Sequence, residues 1–86
     1  MARFEVRIKR SVAKELLRLP KADNHRIMDR IQALAEDPRP HGCEKLAGQE
    51  SYRIRQGDYR VVYTIDDGRV IVEDVRVDHR SVVYRD

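Results

Sequence analysis

Tryptophan is absent from this 86-residue chain, and its aromatics are four tyrosines and one phenylalanine. A core made from it must be aliphatic. Cysteine occurs once, at Cys43, which excludes an internal disulfide and a cysteine-based zinc site. His25, His41 and His79 show no ligand spacing among themselves, so neither a metal site nor a cofactor is expected. The four glycines are isolated turn residues and form no phosphate loop. No segment nears the roughly 20 apolar residues that span a bilayer, and no signal-type apolar run follows Met1. The expectation is a soluble cytoplasmic protein without a membrane partner.

Charge is abundant. Charged residues make up 38% of the chain, and 18 Lys and Arg against 15 Asp and Glu leave a net +3. That mild basic excess fits a nucleic-acid or acidic-protein partner and proves neither. A chain this short buries only roughly 60 to 65% of its unfolded surface, which predicts one domain over residues 1–86. Val, Ile and Leu stand in periodic blocks, which argues against disorder.

Residues 3–8 alternate Phe4, Val6 and Ile8 with Arg3, Glu5 and Arg7, predicting a strand with one packed side. Ser11 reads as a helix N-cap, with Val12, Leu16 and Leu19 at helical spacing until Pro20. A second helix is predicted from Asp23 or Asn24 to about Glu36, striped by Ile27, Met28, Ile31, Leu34 and Ala35, and closed by Asp37-Pro38-Arg39-Pro40. Residues 38–50 read as a loop. Three or four consecutive strands follow, with turns at Gln56-Gly57-Asp58, Asp66-Asp67-Gly68 and Asp78-His79, the last leading to a short strand ending at Tyr84. Short turns make consecutive strands antiparallel. The prediction is an α+β domain with two helices on one face of a small antiparallel sheet of four or so strands.

The stretch Y-R-I-R-Q-G-D-Y-R-V-V-Y at 52–63 carries the chemistry. Tyr52 and Ile54 fall on one side and Arg53 and Arg55 on the other, and Arg60 joins them if the apolar sides align. Three forked cations on one sheet face suit the oxygens of a phosphodiester. A solvated sheet surface is the competing reading. In the tail, His79, Arg80 and Tyr84 add a titratable group, a cation and a phenol, completing a metal-free site that grips phosphate and moves protons.

These strings, with V-D-H-R-S-V-V-Y at 77–84 and the early R-S-V-A-K-E-L-L-R-L-P, resemble the RelE/ParE toxins of bacterial and archaeal toxin-antitoxin systems, the RelE branch above all. The resemblance covers essentially the whole chain. It implies a RelE-like fold and a metal-independent endoribonuclease that cuts messenger RNA in the ribosomal A site by attack of the substrate's 2′-hydroxyl. It implies a neutralising antitoxin, ribosomal RNA contacts, and operator DNA reached only through that antitoxin. It assigns RNA binding to Arg53 and Arg55, and catalysis to Arg60, Arg80 and Tyr84, with His79 a secondary candidate. The best-known members have lysines where Arg53 and Arg55 stand, and arginine cannot release a proton at neutral pH. The base is then Tyr84, His79 or a water. A ParE-like inhibitor of DNA gyrase and a degenerate toxin acting only by binding are the alternatives.

Overall fold

The computed structural model describes residues 3–46 and 50–79. The chain runs through β1 (Glu5–Val6), α1 (Arg10–Leu17), α2 (Lys21–Ala33), β2 (Glu44–Lys45), β3 (Ser51–Gln56), β4 (Tyr59–Asp66) and β5 (Ile71–His79). The strands form one sheet in the order β1-β5-β4-β3-β2. Strands β2 to β5 pair antiparallel, whereas β1 lies parallel to β5, with Glu5 opposite Ile71 and Val6 opposite Val72. The wholly antiparallel sheet of four or so strands is therefore a mixed sheet of five. Tight turns dictate direction only between consecutive strands, and two helices separate β1 from the rest. Strand β2 lies inside the expected loop, because two residues are too few to show alternation.

Helices α1 and α2 cover one face of the sheet. Val12 and Leu16 from α1, and Ile27, Ile31 and Leu34 from α2 and its end, pack against Tyr52, Ile54, Val61, Tyr63, Ile65, Val72 and Val75. The caps differ from expectation. Lys9 occupies the N-cap position of α1 and makes no side-chain cap, while Ser11 lies one residue inside the helix. Helix α2 starts directly after Pro20, two residues before Asp23. Asn24 instead reaches back, its Nδ2 donating to the Leu16 carbonyl at 2.6 Å. The last carbonyls of a helix need donors from outside it, and Pro20 has none to give.

The segment after α2 is fastened from two sides. Tyr63 is 0% exposed, and its hydroxyl donates to the Pro38 carbonyl at 2.7 Å and lies 3.4 Å from Cys43 Sγ. Burial pushes the Tyr63 phenol far above its ordinary range. Arg39 forks onto Asp67 at 3.1 and 2.8 Å, donates Nε to the Tyr52 hydroxyl at 3.2 Å, and stacks 5.1 Å from that ring's centre. These contacts tie the loop to β3, β4 and the β4–β5 turn, which holds β2 beside β3.

Strand β5 runs unbroken through Asp78 and His79, where a turn was expected. The register shifts between Val62 and Thr64 opposite Asp74, whose φ of 54° marks a bulge. The final strand expected to end at Tyr84 lies outside the described residues.

Candidate functional site

The β3–β4 hairpin closes on a two-residue turn in which Gly57 takes a φ of 59°, a backbone state glycine adopts without steric cost. That turn sets the register, and the register builds rows across the face the helices leave uncovered. Glu44, Arg53, Val62 and Arg76 lie opposite one another in one row. Arg55, Arg60 and Asp78 form the next. Ser51, Thr64 and Glu73 form a third. The three arginines singled out in the hairpin thus share a face. They enclose one apolar residue, Val62, which is only 7% exposed although it points away from the helices.

The cations are not equivalent. Arg53 is half-buried, donates Nη2 to Glu44 Oε2 at 2.5 Å, and has a buried Nε without a hydrogen-bond partner among the described residues. Its guanidinium holds the Glu44 carboxyl below the usual range, first through the hydrogen bond and then through the charge. Arg55 and Arg60 stand directly opposite each other. Like charges in that relation destabilise a hairpin. With Gly57, Asp58 and Tyr59 they line a cleft of about 200 Å³ at its tip. A larger groove of about 580 Å³ runs from Val62 and Arg76 to Lys9 and Ser11 at the start of α1, with Ser51 and Thr64 in its wall.

His79 is not brought to this face. It lies opposite Tyr59 in the register and meets that ring edge-on, with centroids 5.0 Å apart and planes at 78°. Leu16, Leu19 and Val77 line the same small groove, so the sheet stands between His79 and the arginine rows. Arg80 and Tyr84 lie outside the described residues. Arg76 and Glu44 were missed by sequence reasoning. For Arg76 the signal was the V-R-V alternation at 75–77, obscured because the bulge at Asp74 changes the phase along β5. Glu44 carried no signal, as its place beside Arg53 depends on the Arg39 and Tyr63 contacts of the loop.

A family model described as the ParE toxin of the type II toxin-antitoxin system parDE matches residues 6–84. Toxin RelE of Mycobacterium tuberculosis is 34% identical over 84 residues, spanning 95% of this chain and 87% of the relative. The chain belongs to the RelE/ParE family of toxins. It is the toxin of a type II toxin-antitoxin system, of RelE type. The RelE chain in the archaeal RelE-RelB complex of Pyrococcus horikoshii superposes with a TM-score of 0.81 at 30% identity, covering 96% of this chain and 100% of that one. The Escherichia coli RelBE toxin-antitoxin complex gives 0.73 at 25% identity, covering 88% and 95%. Both of those structures are complexes of a toxin with its antitoxin.

Proposed function

We propose that this toxin is a metal-independent endoribonuclease that cuts messenger RNA in the ribosomal A site and is neutralised by a cognate RelB-like antitoxin. The observation that carries the reading is the uncovered sheet face. Arg55 opposes Arg60, and Arg53 and Arg76 flank Val62 one row away. A face that sets two cations opposite each other, with only Asp78 beside Arg60 in their row to offset them, suits a ligand that supplies negative charge.

The chemistry follows from the substrate. The 2′-oxygen adjoining the scissile phosphate attacks phosphorus as its proton leaves, the bond from phosphorus to the 5′-oxygen breaks, and that oxygen takes up a proton. The products are a 2′,3′-cyclic phosphate and a 5′-hydroxyl. Extra negative charge gathers on the phosphoryl oxygens in the transition state, where fixed guanidinium donors stabilise it. Arg55 and Arg60 are the residues for that task, with Arg53 once Glu44 is displaced. None of them serves as base. Tyr84 takes the proton-transfer role and Arg80 adds a cation. His79, edge-on to Tyr59 on the helix side of the sheet, is the weaker candidate for the base. The setting is the cytoplasm, where translating ribosomes present the substrate.

Primer extension on a reporter messenger after pulse induction tests this. Cuts inside translated codons are expected for the wild type and none for Arg60→Ala or Tyr84→Phe, with both variants folded. Cleavage retained in both variants would remove these residues from the site. Intact messenger with DNA damage would instead support gyrase inhibition, the reading suggested by the ParE name of the matching family model.

A further inference from the structure

Cleavage through the 2′-oxygen moves two protons. One leaves the 2′-hydroxyl and one arrives at the 5′-oxygen, so the reaction uses a base and an acid. At neutral pH a phenol, whose ordinary pKa is about 10, stands protonated and suits the acid, whereas a carboxylate stands ionised and suits the base. Arginine does neither. The role given to Tyr84 is thus the acid's, and the base belongs among the carboxylates of the arginine face.

Those carboxylates are not equally placed. Asp58 stands in the hairpin turn, where its charge acts on the Tyr59 phenol on the helix side. Asp74 accepts from Thr64 Oγ1 at 3.0 Å beside the bulge, and Glu73 lies 3.8 Å from Arg69. Asp78 offsets Arg60 within the row of opposed arginines. Glu44 differs from them. It is exposed, lies on an edge strand of two residues, and places Oε2 2.5 Å from Nη2 of Arg53. Fold support does not account for that pair, because the Arg39 and Tyr63 contacts already hold the loop and the Leu46 amide donates to the Ser51 carbonyl at 2.9 Å. Arg53 has capacity to spare: a guanidinium carries five N–H donors, the bond to Glu44 uses Nη2, and Nε is buried without a hydrogen-bond partner among the described residues.

We propose that Glu44 is the general base of the cleavage reaction and that Arg53 is the positioning residue that aims its carboxylate at the 2′-oxygen. This rests on the RNA-cleavage reading above. A phosphodiester entering the face draws Arg53 onto a phosphoryl oxygen and leaves the Glu44 carboxylate beside the adjoining 2′-hydroxyl. Glu44 takes that proton as the 2′-oxygen bonds to phosphorus, the bond to the 5′-oxygen breaks, and the Tyr84 phenol protonates the leaving oxygen. Exchange with water then returns Glu44 to carboxylate and Tyr84 to phenol. The charged groups facing Glu44 from β3 are Arg53 and Arg55, while Lys45 beside it on β2 lies 3.9 Å from Glu50. The hydrogen bond from Arg53, then its charge, hold the Glu44 carboxyl below the usual range against desolvation, so it is ready as a base throughout the neutral range.

The test is single-turnover cleavage on messenger-programmed ribosomes from about pH 6 to 9, with RNA binding and Tm measured on the same preparations. Glu44→Gln is expected to slow cleavage by on the order of 100- to 10,000-fold while binding is kept or tightened and Tm holds. Glu44→Asp keeps the carboxylate and should recover part of the rate. The wild-type rate should stay level across the series, because the base is already ionised and the acid still protonated. A rate rising by about tenfold per pH unit would assign the base to a phenol and overturn the proposal. So would wild-type cleavage by Glu44→Gln, or a loss of cleavage matched by lost binding and lower Tm, which would make the pair a support of the fold. Failure of the cleavage reading looks different: a wild-type toxin that cuts no messenger on ribosomes at any pH, which removes the reaction and its base together.

Discussion

Arg55 and Arg60 oppose each other across the hairpin, and neither joins an ion pair among the described residues, while Asp78 lies opposite Arg60 on β5 and offsets part of the repulsion. Arg60→Ala should therefore abolish cleavage with little change in folding stability, because it removes the repulsion of Arg55 on one side and the opposite charge of Asp78 on the other, read from primer extension and denaturant titration of the same preparation. A variant that loses both activity and stability would mean Arg60 supports the fold. Glu44 acts in the opposite sense, because its ion pair with Arg53 competes with any incoming phosphate. Glu44→Gln should tighten RNA binding several-fold at fixed low salt, and unchanged affinity would show that Arg53 stays out of the interface. The alternating string at 52–63 makes Arg53, Arg55 and Arg60 legible from residue order alone. Their inequality is not legible there, since only the pairing of β2 with β3 brings Glu44 beside one of them.

At the scale of elements, what is legible is what periodicity encodes. The stripes of α1 and α2 and the alternation of β3 and β4 place Leu16, Ile27, Ile31, Ile54 and Val61 in the core as read. Chain ends and directions are set by contacts distant in sequence. Ser11 is a good capping residue by type, but α1 begins one residue earlier, and Asn24 serves α1 instead of α2. Asn24→Ala should cost about 1 kcal/mol by leaving the Leu16 carbonyl without its donor. Asn24→Asp should not rescue it, because a carboxylate accepts where a donor is needed. Equal stability of the two variants and the wild type in a denaturant titration would show that water replaces the amide. The parallel placement of β1 has no local signal at all, as Glu5 meets Ile71 only once β5 exists.

Over the whole molecule, the two helices and the sheet are joined by few polar ties, and the Arg39–Asp67 fork is the one that links the loop after α2 to the β4–β5 turn. The hydrogen bond from Arg39 holds the Asp67 carboxyl below its ordinary range, outweighing the upward push of desolvation. A carboxyl depressed in the folded state stabilises the fold above its unfolded pKa, near 4, and that contribution disappears as pH falls through the lower folded value. Glu44, depressed by Arg53, contributes with the same sign. Thermal stability should thus hold from neutrality down to about pH 5 as far as these carboxyls are concerned, then decline as they protonate. Asp67→Asn should start from a lower Tm at pH 7 and decline less steeply, because it has one fewer depressed carboxyl to protonate, so that the two curves approach each other at the acid end. Parallel curves would mean that the fork is screened by solvent at this exposed site, leaving the stacking of Arg39 on Tyr52 and the buried Tyr63 hydroxyl to hold the loop, and with it Glu44, against the arginine face.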